Sequence, residues 1–187
     1  AFNAILANIP PGTSVTTSND RGIWAMGATL TLVARENNTA HGFLPAPGIT
    51  YNVLSLAPTF NNSNVIAYGG TIKGTGINRL NDSGVWVGSI ASPALIAREG
   101  DAVPGNPGLT YGQLFSPVIN DAGQVAFRSD FRGIATTTNN AGIMVGLPAS
   151  LSIAARKGDV ADGVIDGATY LAFQNPVLNS AGEIAFR

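Results

Sequence analysis

The chain has 187 residues, 45% of them hydrophobic and only 11% charged, with a net charge of −1. That length and hydrophobicity suit one sizeable domain with a core and exclude a disordered chain. The near-neutral balance, without a basic block, excludes nucleic-acid binding by phosphate neutralisation.

Cysteine is absent, which excludes disulfides, a thiolate nucleophile and a Cys-based zinc site. No apolar run approaches the roughly 18 residues that a membrane-spanning helix needs. The 23 glycines and 11 prolines, with abundant Asn, Thr and Ser, point to many turns. Ala1 starts within a repeat motif and no signal peptide is visible, so the chain reads as a mature form, a processed product or a fragment. Its polar but uncharged character suggests an extracellular or cell-surface location.

Four motifs recur in a fixed order. Ala1-Phe2 is the tail of the octet completed later as Asn61-Asn62-Ser63-Asn64-Val65-Ile66-Ala67-Tyr68, then as Asn120 to Phe127 and Asn179 to Phe186. Between octets stands a tetrad with an apolar strand behind it: Asn19-Asp20-Arg21-Gly22, Asn81-Asp82-Ser83-Gly84 and Asn139-Asn140-Ala141-Gly142. Next come the strands ending in Ala34-Arg35-Glu36, Ala97-Arg98-Glu99 and Ala155-Arg156-Lys157. A turn follows, Gly100-Asp101 and Gly158-Asp159 in two units and Asn37-Asn38 in the first. After a loop, an aromatic-led strand starts at Tyr51, Tyr111 or Tyr170 and is closed by Pro58, Pro117 or Pro176.

The Asn-x-x-Gly tetrads read as turns. Asn or Asp opens the turn by bonding to its own backbone, and Gly takes the left-handed position of a bulged hairpin. This applies to Asn19/Gly22, Asn81/Gly84, Asn139/Gly142, Asn120/Gly123 and Asn179/Gly182. Asn64 stands in the glycine position of its octet and is expected to be left-handed too. No window carries a capped 3.6-residue apolar period, so almost no helix is expected.

The expectation is an all-β chain of three blade-like, four-stranded antiparallel repeats, β-propeller-like. A β-sandwich or an open stack of sheets is the alternative. The chain forms a single repeat domain, 1–187, with units of approximately 3–68, 69–127 and 128–187.

The motif Asn-x-x-Gly-x-x-Ala-Phe, with its upstream Pro and intervening Ala-Arg-x-Gly-Asp, resembles that of a family of bacterial tandem-repeat proteins carrying varied C-terminal surface anchors. The residues are Asn120, Gly123, Ala126 and Phe127, Asn179, Gly182, Ala185 and Phe186, with 97–101 and 154–159 between them. The first unit departs from the pattern at Asn64, at Tyr68 and after Arg35. The resemblance implies secreted or surface proteins, usually with more than three repeats.

Several residues invite chemistry. His41, the only histidine, lies in a loop without a Gly-x-Ser-x-Gly elbow, and is read as exposed rather than catalytic. Asp101 and Asp159 are the candidate calcium ligands, although no calcium-loop spacing surrounds them. Trp24, Trp86 and Met144 share one repeat position and are read as core. Arg35, Arg98 and Arg156 recur identically; they are read as clamps between blades that bind carboxylates or loop carbonyls, with a ring of anion sites as the alternative. Asn37, Asn61 and Asn81 fit glycosylation sequons.

No catalytic residue is identified, so the chain is expected to be non-enzymatic, with no cofactor. It reads as an extracellular or cell-surface structural or adhesive protein that self-assembles into a ring or filament. Its partners would be copies of itself, further repeats of a longer chain, or extracellular glycans, with no nucleic acid and no membrane span. One alternative is a glycan- or calcium-binding propeller-type module. The other is a hydrolase on a propeller scaffold, which would need carboxylates from separate blades to converge.

Overall fold

The computed structural model describes residues 1–7, 14–43, 48–54 and 57–187. Among them there is no helix; every element is a strand, and every ladder is antiparallel. The first sheet holds β1 (Phe2–Ile5), β2 (Arg21–Met26) and β3 (Leu30–Arg35). The second holds β4 (Thr50–Val53), β5 (Thr59–Phe60), β6 (Val65–Lys73), β7 (Ser83–Ser89) and β8 (Ser92–Arg98). The third repeats it with β9 (Leu109–Leu114), β10 (Val118–Ile119), β11 (Val125–Gly133), β12 (Ala141–Gly146) and β13 (Ser152–Arg156). The fourth is the hairpin of β14 (Val177–Leu178) and β15 (Ile184–Ala185). None of the sheets closes on itself.

Proline divides the first strand of each full sheet. β5 pairs with Ile66 and Ala67 of β6, and β4 pairs further along the same strand, at Thr71 to Lys73. Pro58 lies between the two pieces, where a missing N–H interrupts a ladder. β10 and β9 divide β11 in the same way around Pro117. A hydrogen-bonded sheet therefore begins at the Tyr-led strand and ends at Ala-Arg. Units cut after Tyr68 and Phe127 each take strands from two sheets.

The glycine tetrads separate into two kinds. Gly123 and Gly182 are left-handed, with φ of 79° and 87°, and Asn64 joins them at 59°. These are true hairpin turns, linking β10 to β11, β14 to β15 and β5 to β6. Gly22, Gly84 and Gly142 are strand residues of β2, β7 and β12 instead, which corrects the expectation of five equivalent turns. Here glycine makes room for an aromatic ring. A Cβ on Gly84 would lie 2.7 Å from the Trp86 ring, and one on Gly142 would lie 2.8 Å from Phe131.

Alternation assigns each strand two apolar faces. Ile66, Tyr68 and Trp86 of the second sheet pack with Ile23, Ala25, Val33 and Ala34 of the first. Ala67, Val85 and Val87 look the other way, onto Tyr111, Phe127 and Met144 of the third. Ala141, Ile143 and Ala155 then meet Phe173, Ile184 and Phe186 in the fourth. The sheets thus stack in chain order, each buried on both sides wherever a neighbour exists. Trp86 and Met144 are core, as their shared position implies, whereas Trp24 at the same position is only partly buried, on the outer face of the first sheet.

The hairpin turns are tied from sheet to sheet. Asn61 Nδ2 donates to the Asn120 carbonyl at 2.8 Å, and Asn120 Nδ2 donates to the Asn179 carbonyl at 3.0 Å. Asn61 and Asn120 are both buried. Each asparagine also closes its own turn: Asn61 Oδ1 accepts from Val65 N, and Asn120 Oδ1 from Gln124 N, both at 2.9 Å. Beside this ladder, Asp121 takes two hydrogen bonds from Asn62, both 2.8 Å.

The fourth sheet is the least regular. Tyr170 to Phe173, expected as a strand, lies in none. Its counterpart β9 pairs with the far half of the nine-residue β11, whereas β15 has only two residues. The aromatic rings still cluster, with Phe173 and Phe186 centroids 5.6 Å apart.

Candidate functional site

Three polar constellations lie at the junctions between strands and sheets. The first contains the recurrent arginines. Arg35, Arg98 and Arg156 donate Nε to the carbonyls of Asn19, Asn81 and Asn139, each at 2.9 Å. The bond joins the end of one strand to the loop entering the preceding strand of the same sheet, so it clamps within a sheet rather than between sheets. The asparagines order that loop in turn: Asn19, Asn81 and Asn139 accept from Thr16 N, Asn78 N and Thr136 N at 2.7 to 2.8 Å. The Arg98 guanidinium also lies 5.5 Å from the Phe43 ring centroid, on the loop after the first sheet.

The second constellation is confined to the first junction. His41 Nδ1 bonds to the Tyr51 hydroxyl at 2.8 Å, and that hydroxyl bonds to Tyr68 Oη at 2.8 Å. The His41 carbonyl accepts from Trp86 Nε1 at 2.9 Å. His41 is therefore half-buried and bonded, not the exposed loop residue the sequence suggested. Burial holds its pKa below the ordinary value and pushes Tyr51 up to about 12. Tyr68 is raised as well, by burial first and then by Tyr51. At neutral pH His41, Tyr51 and Tyr68 are all uncharged, which suits a buried bridge rather than a general base.

In the second junction Pro104 and Phe127 stand where His41 and Tyr68 stand, so the hydroxyl of buried Tyr111 finds no hydrogen-bond partner among the described residues. Beside the first chain, Leu32, Arg35, Asn37, Asn38, Thr39 and His41 line an open groove of about 600 Å³.

The third constellation is acidic. Glu99 is 3% exposed, and its Oε1 receives Arg132 Nη1 at 2.6 Å across the sheet interface. Its Oε2 accepts from Ser83 N and Ser83 Oγ at 3.3 and 3.1 Å. Ser83 Oγ in turn accepts from Leu114 N of the next sheet at 3.2 Å. Asp82 adjoins Glu99, and its carboxyl is raised above 3.8 by burial, then by the Glu99 charge and their mutual hydrogen bond. In the first junction buried Glu36 accepts from Leu54 N at 3.3 Å. In the third unit Asn140 and Lys157 replace the acids, with Nζ 3.4 Å from Asn140 Oδ1.

Asp101 and Asp159 are exposed and sit on the turns of different sheets. Among the described residues no three His, Asp or Glu side chains gather as a metal site. The turns themselves match the sequence reading: Gly100 and Gly158 are left-handed at φ 89° and 87°, and Asn37 substitutes for them at 69°.

A family model described as a family of unknown function, DUF7453, matches residues 2–187. The chain belongs to this DUF7453 family. No curated relative and no solved structure matches it. The match spans every sheet, so the repeat architecture is what the DUF7453 model covers.

Sequence reasoning missed the acid pair. Its signal was present: Glu36 and Glu99 recur after Ala-Arg in a charge-poor chain, and where Lys157 replaces the glutamate, Asn140 replaces the aspartate. The His41 contact left no such trace, because Tyr51, Tyr68 and Trp86 are remote from it in sequence.

Two outcomes follow. Tyr51→Phe removes the centre of a buried hydrogen-bonded chain and should lower unfolding stability by about 1–3 kcal/mol, whereas Tyr111→Phe should be neutral or stabilising; urea denaturation measures both. Asp82, with a raised carboxyl, adds stability in acid, and that contribution is lost as pH rises through its folded pKa. Asp82→Asn should therefore raise the melting temperature at pH 7 and flatten its dependence on pH from about 4 upward, read by calorimetry across pH.

Proposed function

We propose that this chain is a non-enzymatic structural or adhesive repeat of the cell surface or extracellular space. Its sheets act as propeller-like blades and associate with further copies into a ring or filament. The observation that carries the reading is the outer face of the first sheet, which bears exposed Phe2, Met26 and Leu32. Phe2 and Trp24 stack at 6.2 Å between centroids, as Tyr68 and Trp86 stack at 5.6 Å in the second sheet. Tyr68 and Trp86 are fully buried, whereas Phe2 is 47% exposed. A surface built for burial and left open marks an association site.

The polar constellations support a structural role. Both oxygens of Glu99 are engaged by Arg132 and Ser83, so it is a brace between sheets rather than a poised acid. Each recurrent arginine spends Nε on a loop carbonyl.

A second reading, glycan binding, is favoured by the groove beside His41, where Arg35, Asn37, Asn38 and Thr39 offer the donors and acceptors that hydroxyl-rich ligands need.

Multi-angle light scattering over a range of concentrations tests the assembly reading. It should give masses at multiples of the 19.1 kDa chain. A constant monomer mass at high concentration would contradict it.

A further inference from the structure

We infer that His41 makes the junction between the first and second sheets acid-sensitive: a proton taken by its ring removes the acceptor at the end of a buried hydrogen-bond chain and loosens the sheets there. The device lies within one chain and does not depend on the assembly reading above. The Tyr51 hydroxyl stands at its centre, with His41 Nδ1 and Tyr68 Oη each 2.8 Å away. That hydroxyl also accepts the His41 backbone N–H at 3.2 Å. A phenol has one proton to donate. While Nδ1 carries no proton, Tyr68 donates to Tyr51, Tyr51 donates to Nδ1, and both hydroxyl protons are placed. Once protonated, Nδ1 can only donate. Tyr51 must then accept from it and turn its own proton toward Tyr68, whose proton is left without an acceptor. Tyr68 is fully buried with its ring stacked on Trp86, and its hydroxyl has no other hydrogen-bond partner among the described residues. A buried donor without a partner costs more than an ordinary hydrogen bond contributes.

The surroundings do not offset the charge that a proton brings. The elements packed round His41 carry Arg35 and Glu36 at the end of β3, Lys73 at the end of β6, and Arg98 and Glu99 at the end of β8, while β4 and β7 carry no charged residue. Arg35 lines the same groove as His41, and no carboxylate does. Glu36 accepts from Leu54 N and lines a different groove, with Arg21 and Lys73. Glu99 is engaged by Arg132 and Ser83. Arg98 lies over Phe43, two residues along the His41 loop. The path from the ring to the sheets is short. The His41 carbonyl holds Trp86 Nε1, Asn37 N donates to the Tyr51 carbonyl at 2.9 Å, and Tyr51 N donates to the Asn38 carbonyl at 3.0 Å. The second junction repeats the backbone bonds, Gly100 N to the Tyr111 carbonyl and Tyr111 N to the Asp101 carbonyl, with Pro104 in place of the histidine. Pro104 is exposed although the second sheet packs against a neighbour on each face, so solvent reaches this position whatever precedes the first sheet. Burial holds the His41 pKa below the ordinary 6.5. Its contribution to stability is therefore complete above that value and is lost as pH falls below it toward the folded pKa.

His41 is the only histidine, so NMR titration between about pH 8 and pH 5 follows a single imidazole. Amide exchange measured on the same samples gives the protection of both junctions. The imidazole midpoint should lie below 6.5. Through that midpoint the protection factors of Asn37 and Tyr51 should fall about tenfold or more, while those of Gly100 and Tyr111 stay level. The Trp86 indole N–H should shift with the same midpoint. In His41→Gln, whose side chain takes no proton, the two junctions should respond alike to acid. If near-ultraviolet circular dichroism shows that His41→Gln has lost its packing, the comparison of the two junctions in the wild type decides alone. Equal behaviour of the junctions in the wild type, or a wild-type acid response retained in a folded His41→Gln, overturns the inference. So does an imidazole midpoint at or above 6.5.

Discussion

Asn120 joins three hairpin turns through one residue type. Its Oδ1 closes its own turn on Gln124 N, its Nδ2 reaches the Asn179 carbonyl, and its carbonyl receives Asn61 Nδ2. A shift of one sheet against the next by a single residue, about 3.3 Å, would break these bonds. The ladder therefore fixes the register in which the sheets stack. Asparagine suits the place because its amide carries the acceptor and the donor on separate atoms, so Oδ1 closes the turn while Nδ2 reaches the next sheet.

The ladder sets position while apolar burial supplies most of the energy. A net hydrogen bond contributes about 1 kcal/mol, and each fully buried large side chain about 1.5–3 kcal/mol. Tyr51, Leu54, Ile66, Tyr68 and Trp86 are all fully buried, and all belong to the first sheet interface. Polar groups at the interfaces then act as selective braces. Arg132 reaches across to Glu99, and Leu114 N finds Ser83 Oγ. The first interface has Glu36 in the place of Glu99 and adds the His41–Tyr51–Tyr68 hydrogen bonds. Repeats with one backbone thus differ in which polar groups bridge them.

Much of this plan is legible in the residue order. The octet recurring at a fixed spacing names the hairpin and the strand behind it, and Asn64 at φ 59° confirms what glycine does in the sister turns. The Asn19, Asn81 and Asn139 tetrads share the same letters and yet place glycine inside a strand. The difference lies in an aromatic ring that folds back over the glycine, a tertiary contact invisible in the tetrad itself. His41 shows the same limit, since its partners Tyr51 and Trp86 come from two separate strands. Asp82 and Glu99 lay closer to view, because their spacing and their joint replacement by Asn140 and Lys157 are written in the sequence. Tyr170 to Phe173 carries a strand pattern without a long enough partner, so pattern alone placed it in a ladder that the fourth sheet lacks.

The recurring Arg, Glu and Asn positions all serve the repeat itself. What distinguishes one sheet from another is clearest at the first junction, where His41 and Tyr68 stand in place of Pro104 and Phe127. The central claim concerns the ladder, and urea unfolding of Asn120→Ala tests it most directly, with Asn62→Ala, an exposed neighbour bonded to Asp121, as the reference. Loss of the ladder should cost about 2–3 kcal/mol in Asn120→Ala, one net increment for each side-chain bond removed. A change within about 0.5 kcal/mol, no larger than an ordinary surface substitution, would contradict the account.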